Sequence, residues 1–148
     1  MRVLITGAAG IIGTVLTKGL KDRYELHGLD RDPMPLMDHA TIGDISDFET
    51  VYEGSRGMDA IIHLTTAKSE EKDWEGALKT SFRGTYNTFE AARQNGVRRV
   101  VYASRAAVVD PSPPGVKLTM DLYPLPESLY TISKIFAEGL ARMYTNKH

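Results

Sequence analysis

The octapeptide TGAAGIIG, residues 6–13, constrains the fold more than any other stretch of the chain. It follows the β-branched run RVLIT (Arg2–Thr6), which reads as a buried strand. It leads into IIGTVLTKGLKDR, where apolar Ile12, Val15, Leu16 and Leu20 recur at helical spacing. Three glycines at intervals of three, between a strand and a helix, are suited to a βα turn in which backbones pass close to one another or to a ligand. Gly7 allows the tight turn, Gly10 lets a pyrophosphate approach the backbone, and Gly13 lets the helix pack on the strand. The helix N-terminus adds free N–H groups and the positive end of its dipole. The spacing is not G-x-G-x-x-G and no G-K-[ST] follows, which argues against a P-loop. The plainer alternative is that the glycines only shape the turn.

The alternation begun there continues. Residues 24–30 (YELHGLD) read as a second strand, 31–39 as a proline-broken loop, and 40–45 (ATIGDI) as a weak third strand. A short helix follows with Ser46 or Asp47 as its N-cap. DAIIHL (59–64) is a fourth strand, a long helix is expected from Glu70 to Gln94 with Asn95-Gly96 as its stop, and RRVVYAS (98–104) is a fifth strand. Residues 108–127 carry five prolines and read as a long loop, and a last helix starts near Ser128. Strands alternating with helices predict an α/β fold, a doubly wound parallel sheet with helices on both faces.

The length fits one domain, residues 1–148. A doubly wound dinucleotide fold usually has a sixth strand, and five are read here, so the chain is expected to be the first part of something larger. A net charge of −1 and a pI near 6.4 give no field that would gather nucleic acid or anionic lipid. The absence of cysteine excludes disulfides and thiolate metal sites, and no metal is expected. No stretch resembles a leader or a membrane span, which makes a cytoplasmic protein the expectation.

Asp30 ends the second strand, within the reach of about 20 residues at which a carboxylate binds the adenosine ribose hydroxyls. A carboxylate there repels a 2′-phosphate and favours NAD over NADP, although neighbouring Arg31 is what that phosphate would want. The alternative is that Asp30 and Asp32 only open the proline turn. Near the other end, SLYTISKIF places Tyr130 and Lys134 four positions apart, one above the other on a helix. Such a pair is either an acid–base device or two polar residues on a solvated face.

With the glycine loop, Asp30 and Tyr130-x-x-x-Lys134 together, the chain resembles the extended short-chain dehydrogenases, the NAD-dependent epimerase/dehydratase family. GDISD (43–47), DAIIHLTTAK (59–68), SFRGTYNTFEAARQNGVRRVVYAS (81–104) and LYTISKIFAEGL (129–140) extend the resemblance over nearly the whole chain in the right order. It implies a Rossmann-type domain with strand order 3-2-1-4-5, lacking the C-terminal substrate-binding region. Cofactor contacts are implied from Gly7, Ala9, Gly10, Ile11, Ile12 and Gly13, from Asp30 and Arg31, and from Asp44 and Ile45, with Asp44 against the adenine. They continue through Leu64, Thr65, Thr66 and Ala67, then Ser81, Tyr130 and Lys134.

The implied reaction acts on a hydroxyl of a sugar or nucleotide-sugar substrate, as dehydrogenation, epimerisation or dehydration. A phenol is a poor base at neutral pH, and a nearby ammonium with the positive nicotinamide favours its phenolate. Tyr130 would take the hydroxyl proton while hydride passes to NAD, and Lys134 would supply the charge and hold the nicotinamide ribose. The family tends to read Ser-Ser-x-x-Val-Tyr-Gly after the fifth strand, whereas this chain reads SRAAVVD. The expected hydroxyl therefore falls on Arg105, with Ser104 one place earlier. Arg105 either donates to a substrate oxygen or carboxylate, or is a solvated arginine at a loop start. Ser81 stands where the family often has asparagine, which weakens a proton relay. His63 reads as structural, Asn87 as a helix-surface or packing residue, and Trp74 and Tyr86 as packing or subunit contacts. Homodimers through the helices after strands four and five are also implied. The rival reading is a non-catalytic NAD(P)-binding module or an inactive fragment.

Overall fold

The computed structural model describes residues 1–67, 73–108, 115, 117, 119 and 122–148. Strand β1 (Arg2–Thr6) leads to α1 (Ile11–Leu20), β2 (Glu25–Asp30), β3 (His39–Ile42), α2 (Phe48–Ser55) and β4 (Ala60–His63). Then come α3 (Trp74–Ala77), a π-helical segment Leu78–Arg83, α4 (Gly84–Gln94), β5 (Arg99–Tyr102), a 3₁₀ turn Ala106–Val108 and α5 (Leu129–Lys147). The five strands are all parallel, in the order β3-β2-β1-β4-β5. This is the Rossmann-like arrangement expected from the alternation of elements.

Period-two alternation divides the core into two layers. Leu4, Leu29 and Ile61 face Val51 of α2 and Ala91 of α4 on one side. Val3, Ile5, Leu26 and Ala60 face Leu16 and Leu20 of α1 and the loop methionines Met34 and Met37 on the other. The order puts β1 at the centre, so the C-terminal ends of β1, β2 and β4 open side by side at the point where the chain reverses direction across the sheet. In a fold of this kind that crevice is where a ligand binds.

Several local expectations are refined. Asp47, not Ser46, caps α2, its carboxylate accepting from Thr50 N–H at 3.2 Å. Ser128 caps α5 through Thr131 N–H at 3.1 Å. The long helix starts at Trp74 with Asp73 as cap, and it is interrupted by the π-helical segment; residues 70–72 lie outside those described. Strand β5 ends at Tyr102, so Ala103, Ser104 and Arg105 leave the strand rather than close it. Much of the proline-rich stretch from 108 to 127 also lies outside the described residues.

The apolar face read on α1 is only half correct. Leu16 and Leu20 pack on the core, but Ile12 is 58% exposed and Val15 63% exposed. Gly13 and Thr17 are the fully buried positions of the helix. The reason lies at Gly13: a Cβ there would stand 2.5 Å from Gly7 O and 2.6 Å from Ala8 Cα. The helix docks through its small residues, and its first turn is left facing the crevice. Nothing in the structure accounts for the exposure of Val15. No helix among the described residues is long and apolar enough to cross a membrane.

Candidate functional site

The glycine loop is set by backbone contacts. Gly7 adopts φ +74°, and a Cβ on it would lie 2.9 Å from Thr65 N, so both its conformation and its space exclude a side chain. Its N–H donates to Leu29 O at 2.9 Å and its carbonyl accepts from Gly10 N–H at 3.1 Å, which ties the loop to β2 and closes the turn. Gly10 is the N-cap of α1 and contributes no side-chain cap, so the first turn of the helix meets the crevice bare.

The crevice is a cleft of about 570 Å³. It is lined by Gly7, Ala9, Gly10, Ile11, Ile12 and Gly13 from the loop and first turn, by Asp30 and Arg31, by Ile45, and by Leu64, Thr65 and Thr66. The wall therefore gathers most of the positions that the resemblance implied. Leu29, Asp32 and Gly43 line it as well and were not among them. Sequence offered a signal for Leu29, which precedes Asp30 at the strand end. Asp32 and Gly43 are brought in by contacts that only the fold shows, Asp32 N–H bonding Asp30 Oδ1 at 3.1 Å and Gly43 N–H bonding the Asp30 carbonyl at 2.9 Å.

Asp30 is positioned by those same groups. Its Oδ2 accepts from Ala9 N–H at 3.0 Å and its Oδ1 from Asp32 N–H. A carboxylate has about four acceptor sites, so capacity remains for the hydroxyls of a ribose. Asp44 lies just outside the lining; Ser46 N–H bonds it at 2.8 Å and, ahead of Arg31 and Lys79, holds its carboxyl below the usual carboxylate range. Ile45 is buried, and Gly84 lets α4 pack directly on it, since a Cβ on Gly84 would stand 2.6 Å from the Ile45 side chain. Asn87 Nδ2 donates to Ile45 O at 3.1 Å, which makes Asn87 a buried tie rather than a surface residue.

The floor continues after β4. Ser81, in the π-helical segment, accepts from Ala67 N–H at 3.1 Å and lies 3.4 Å from Thr66 Oγ1, linking helix and floor. Thr65 Oγ1 is the one buried side-chain polar atom without a partner among the described residues. A buried orphan hydroxyl in a cleft wall is an opening for a ligand or water. A loop that excludes side chains, a bare helix N-terminus, a carboxylate at the end of β2 and an orphan hydroxyl on the floor together fit a dinucleotide.

Outside the lining of the cleft, past β4, stand β5 and α5; Ala67, Ser81, Tyr130 and Lys134 are not among the residues that line it. Lys134 is 3% exposed, and its Nζ donates to Ala103 O at 3.0 Å. The ammonium lies 4.8 Å from the Tyr102 ring centre and 5.0 Å from that of Tyr130, where the ring faces favour a cation. Arg105 is exposed and places its guanidinium carbon 5.2 Å from the Tyr130 ring centre, so two cations attend one phenol. The structure thus brings Tyr130, Lys134 and Arg105 together. Ser104 is turned elsewhere: its hydroxyl donates to Glu138, two helical turns beyond Tyr130.

His63 lies fully buried beneath the floor. Its Nδ1 is 2.6 Å from Thr6 Oγ1 and its Nε2 3.1 Å from Thr85 Oγ1, so it joins β1 to α4 through β4. Burial, with the Lys134 charge as a smaller contributor, pushes the imidazole down to about 3 and keeps it neutral. It is a structural residue. Trp74 and Tyr86 are about half exposed on the surface, Trp74 packing edgewise on Phe82.

Comparison with known proteins agrees with this geometry. The pattern of the NAD dependent epimerase/dehydratase family matches residues 3–148. The chain is 37% identical over 150 residues to the uronate dehydrogenase of Agrobacterium fabrum, covering 99% of this chain and 56% of that protein. It is 29% identical over 160 residues to the L-arabinose 1-dehydrogenase (NAD(P)(+)) of Haloferax volcanii, covering 99% and 62%. Among solved structures, an alanine-for-tyrosine variant of uronate dehydrogenase from Agrobacterium tumefaciens complexed with NAD superposes with a TM-score of 0.90 at 36% identity, over 99% of this chain and 56% of that one. The glucuronic acid dehydrogenase of Chromohalobacter salexigens gives 0.91 at 31% identity, over 99% and 56%. The chain spans a little over half the length of these relatives.

Proposed function

The chain belongs to the NAD dependent epimerase/dehydratase family, and on that premise we propose that residues 1–148 form the NAD-binding domain of an oxidoreductase acting on a hydroxyl of a sugar-type substrate. A sugar acid is the favoured class, because dehydrogenases of uronates and related sugars recur among the relatives. The observation that carries the catalytic part is the buried Lys134 ammonium, fixed by Ala103 O beside the Tyr130 ring.

The proposed division of labour follows the cleft. The glycine loop and the N-terminus of α1 hold the pyrophosphate, and Asp30 the adenosine ribose, favouring NAD over NADP. Bound NAD supplies the hydride acceptor. Tyr130 removes the proton from the substrate hydroxyl, and Lys134 favours the phenolate through its charge. Arg105 occupies the position where the family tends to carry a hydroxyl and donates to a substrate oxygen or carboxylate. Pairing with a second copy through α3, α4 and α5 is proposed from the exposed Trp74, Tyr86, Ile132 and Met143 on those helices.

A second reading is a non-catalytic NAD(P)-binding module. The observations that favour it are Arg105 in place of the hydroxyl and Ser104 engaged with Glu138. Turnover of uronates and neutral sugars with NAD, measured on the protein that carries this chain, separates the two. The catalytic reading expects Tyr130→Phe to lower kcat by about 10²- to 10⁴-fold with NAD affinity unchanged. It also expects Arg105→Ser to raise KM for acidic substrates more than for neutral ones. NAD binding without turnover of any sugar would establish the module instead.

A further inference from the structure

Three side chains with metal-ligand chemistry converge on the first half of β2 and the edge strand β3. Glu25 and His27 are two residues apart on β2 and so project from the same face of the sheet. His39 begins β3 and is the register partner of His27, which places the two imidazoles side by side on that face. Their rings stack with centres 4.5 Å apart and planes 15° from parallel. His27 Nε2 lies 3.1 Å from Glu25 Oε1. One ligand atom from each of the three residues falls within 4.8 Å of the others. None of them lines the cofactor cleft, and the proposed reaction uses none of them.

The donor set is informative. Two imidazole nitrogens and one carboxylate oxygen suit a borderline divalent transition metal, whereas magnesium and calcium take oxygen ligands. Ligand bonds of about 2.0 to 2.2 Å place the donors of a tetrahedral site about 3.3 Å apart. Glu25 and His39 are exposed, so a change of rotamer can close the remaining gap without moving the backbone. His27 is half-buried and already oriented by Glu25. Arg2 is the register partner of Glu25 and sets one positive charge beside the site, which lowers its affinity below that of a closed structural centre.

The strand that such a site would clamp needs an anchor. All four residues of β3 are exposed, and among the described residues the strand pairs only with β2. We propose that Glu25, His27 and His39 form a surface site for a divalent metal of the zinc type that clips the edge strand β3 to β2. The three protein ligands leave a fourth position to water. Because the ligands are assembled only in the folded sheet, the metal stabilises the fold by mass action.

Calorimetric titration of the metal-free chain with Zn²⁺ tests this, with thermal unfolding as a second readout. Saturable binding at one ion per chain is expected, with a rise in Tm that EDTA reverses and that Mg²⁺ does not reproduce. His27→Ala and His39→Ala should each weaken binding by about tenfold or more, and Glu25→Gln by less. The chain has four histidines. His63 is buried with both ring nitrogens engaged, so His148→Ala is the control and should bind as the unaltered chain does. Zinc binding that survives His39→Ala, or that is lost in His148→Ala, would overturn the proposal. Circular dichroism of each variant checks that the fold is intact, and NMR signals of His27 and His39 that do not move together on adding zinc would overturn it independently.

Discussion

The glycine-loop cleft and the β5–α5 cluster outside it form the two ends of the candidate site, and they are built by different means. At the β1–α1–β2 end the geometry is set by the backbone: Gly7 against Thr65, Gly13 against Gly7 and Ala8, and the Asp30 carboxylate held by two peptide N–H groups. At the β5–α5 end it is made by long side chains. Lys134 reaches over to Ala103 O, Arg105 lies on Tyr130, and Ser104 bonds Glu138 across 34 residues of chain. The first end tolerates almost no change of residue, because peptide groups cannot rotate away. The second can be re-aimed by a rotamer, which suits an end that has to meet a substrate.

The sharpest way to break this contrast is to put one methyl group into the first end. Gly13→Ala places a Cβ within 2.6 Å of three backbone atoms of residues 7 and 8. Destabilisation of about 3 kcal/mol is expected, with loss of NAD binding, read by urea unfolding and calorimetry. A variant as stable as the parent would mean that the loop yields and is not a backbone-limited cradle.

The buried pillar between the two ends, His63, sharpens the comparison by pH. The folded imidazole stays neutral down to about 3, while the unfolded one takes a proton near 6.5. Between those values the unfolded chain binds more protons, so this contribution to stability is complete above pH 6.5 and is lost as pH falls toward 3. The slope approaches about 1.4 kcal/mol per pH unit within the window. Carboxylates with lowered values enter from about one pH unit above their ordinary value, so Glu90, brought down to about 2 chiefly by Arg93, acts below about pH 5.5. Urea unfolding between pH 6.5 and about 5.5, before the lowered carboxylates enter, therefore tests His63. A flat profile there would show that the pillar opens to solvent, and His63→Gln should flatten it.

A third test bears on the first end alone. Asp30→Ala removes the acceptor for Ala9 N–H and the carboxylate proposed for the ribose. NAD affinity should fall by about tenfold, or 1.4 kcal/mol, with preference over NADP reduced. Unchanged affinity would remove Asp30 from the ribose site and leave it a loop clamp.

The contrast also explains what could be read from the sequence. The alternation of strands and helices and the glycine loop were legible because they depend on local patterns: β-branched runs, glycines at a βα turn, an acid ending β2. The strand order came only with the family resemblance. The exposure of Ile12 was not legible, because helical periodicity cannot tell a core face from one turned to a cleft. The π-helical segment was missed for a related reason, since no residue in LKTSFR marks it and only its burial against the floor gives Ser81 its contact with Ala67. His63 could be read as structural from its place at a strand end. Its partners Thr6 and Thr85, 57 and 22 residues away, could not.

The smallest effect is expected where side chains alone make the site. Ser104 precedes the position expected to carry a hydroxyl, yet its Oγ is committed to Glu138, and Tyr130, Lys134 and Glu138 form one stripe of α5 at intervals of four. The bond joins the segment after β5 to α5 and fixes where Ala103 O meets Lys134. Ser104→Ala should therefore cost about 1 kcal/mol of stability or less, the range for exposed polar pairs, with NAD affinity unchanged. Glu138→Gln should cost a similar amount, and the double variant no more than either alone, because both remove one interaction. Additive losses would show that the two side chains act separately. A fall in kcat for Ser104→Ala that Glu138→Gln does not share would return Ser104 to the reacting oxygen.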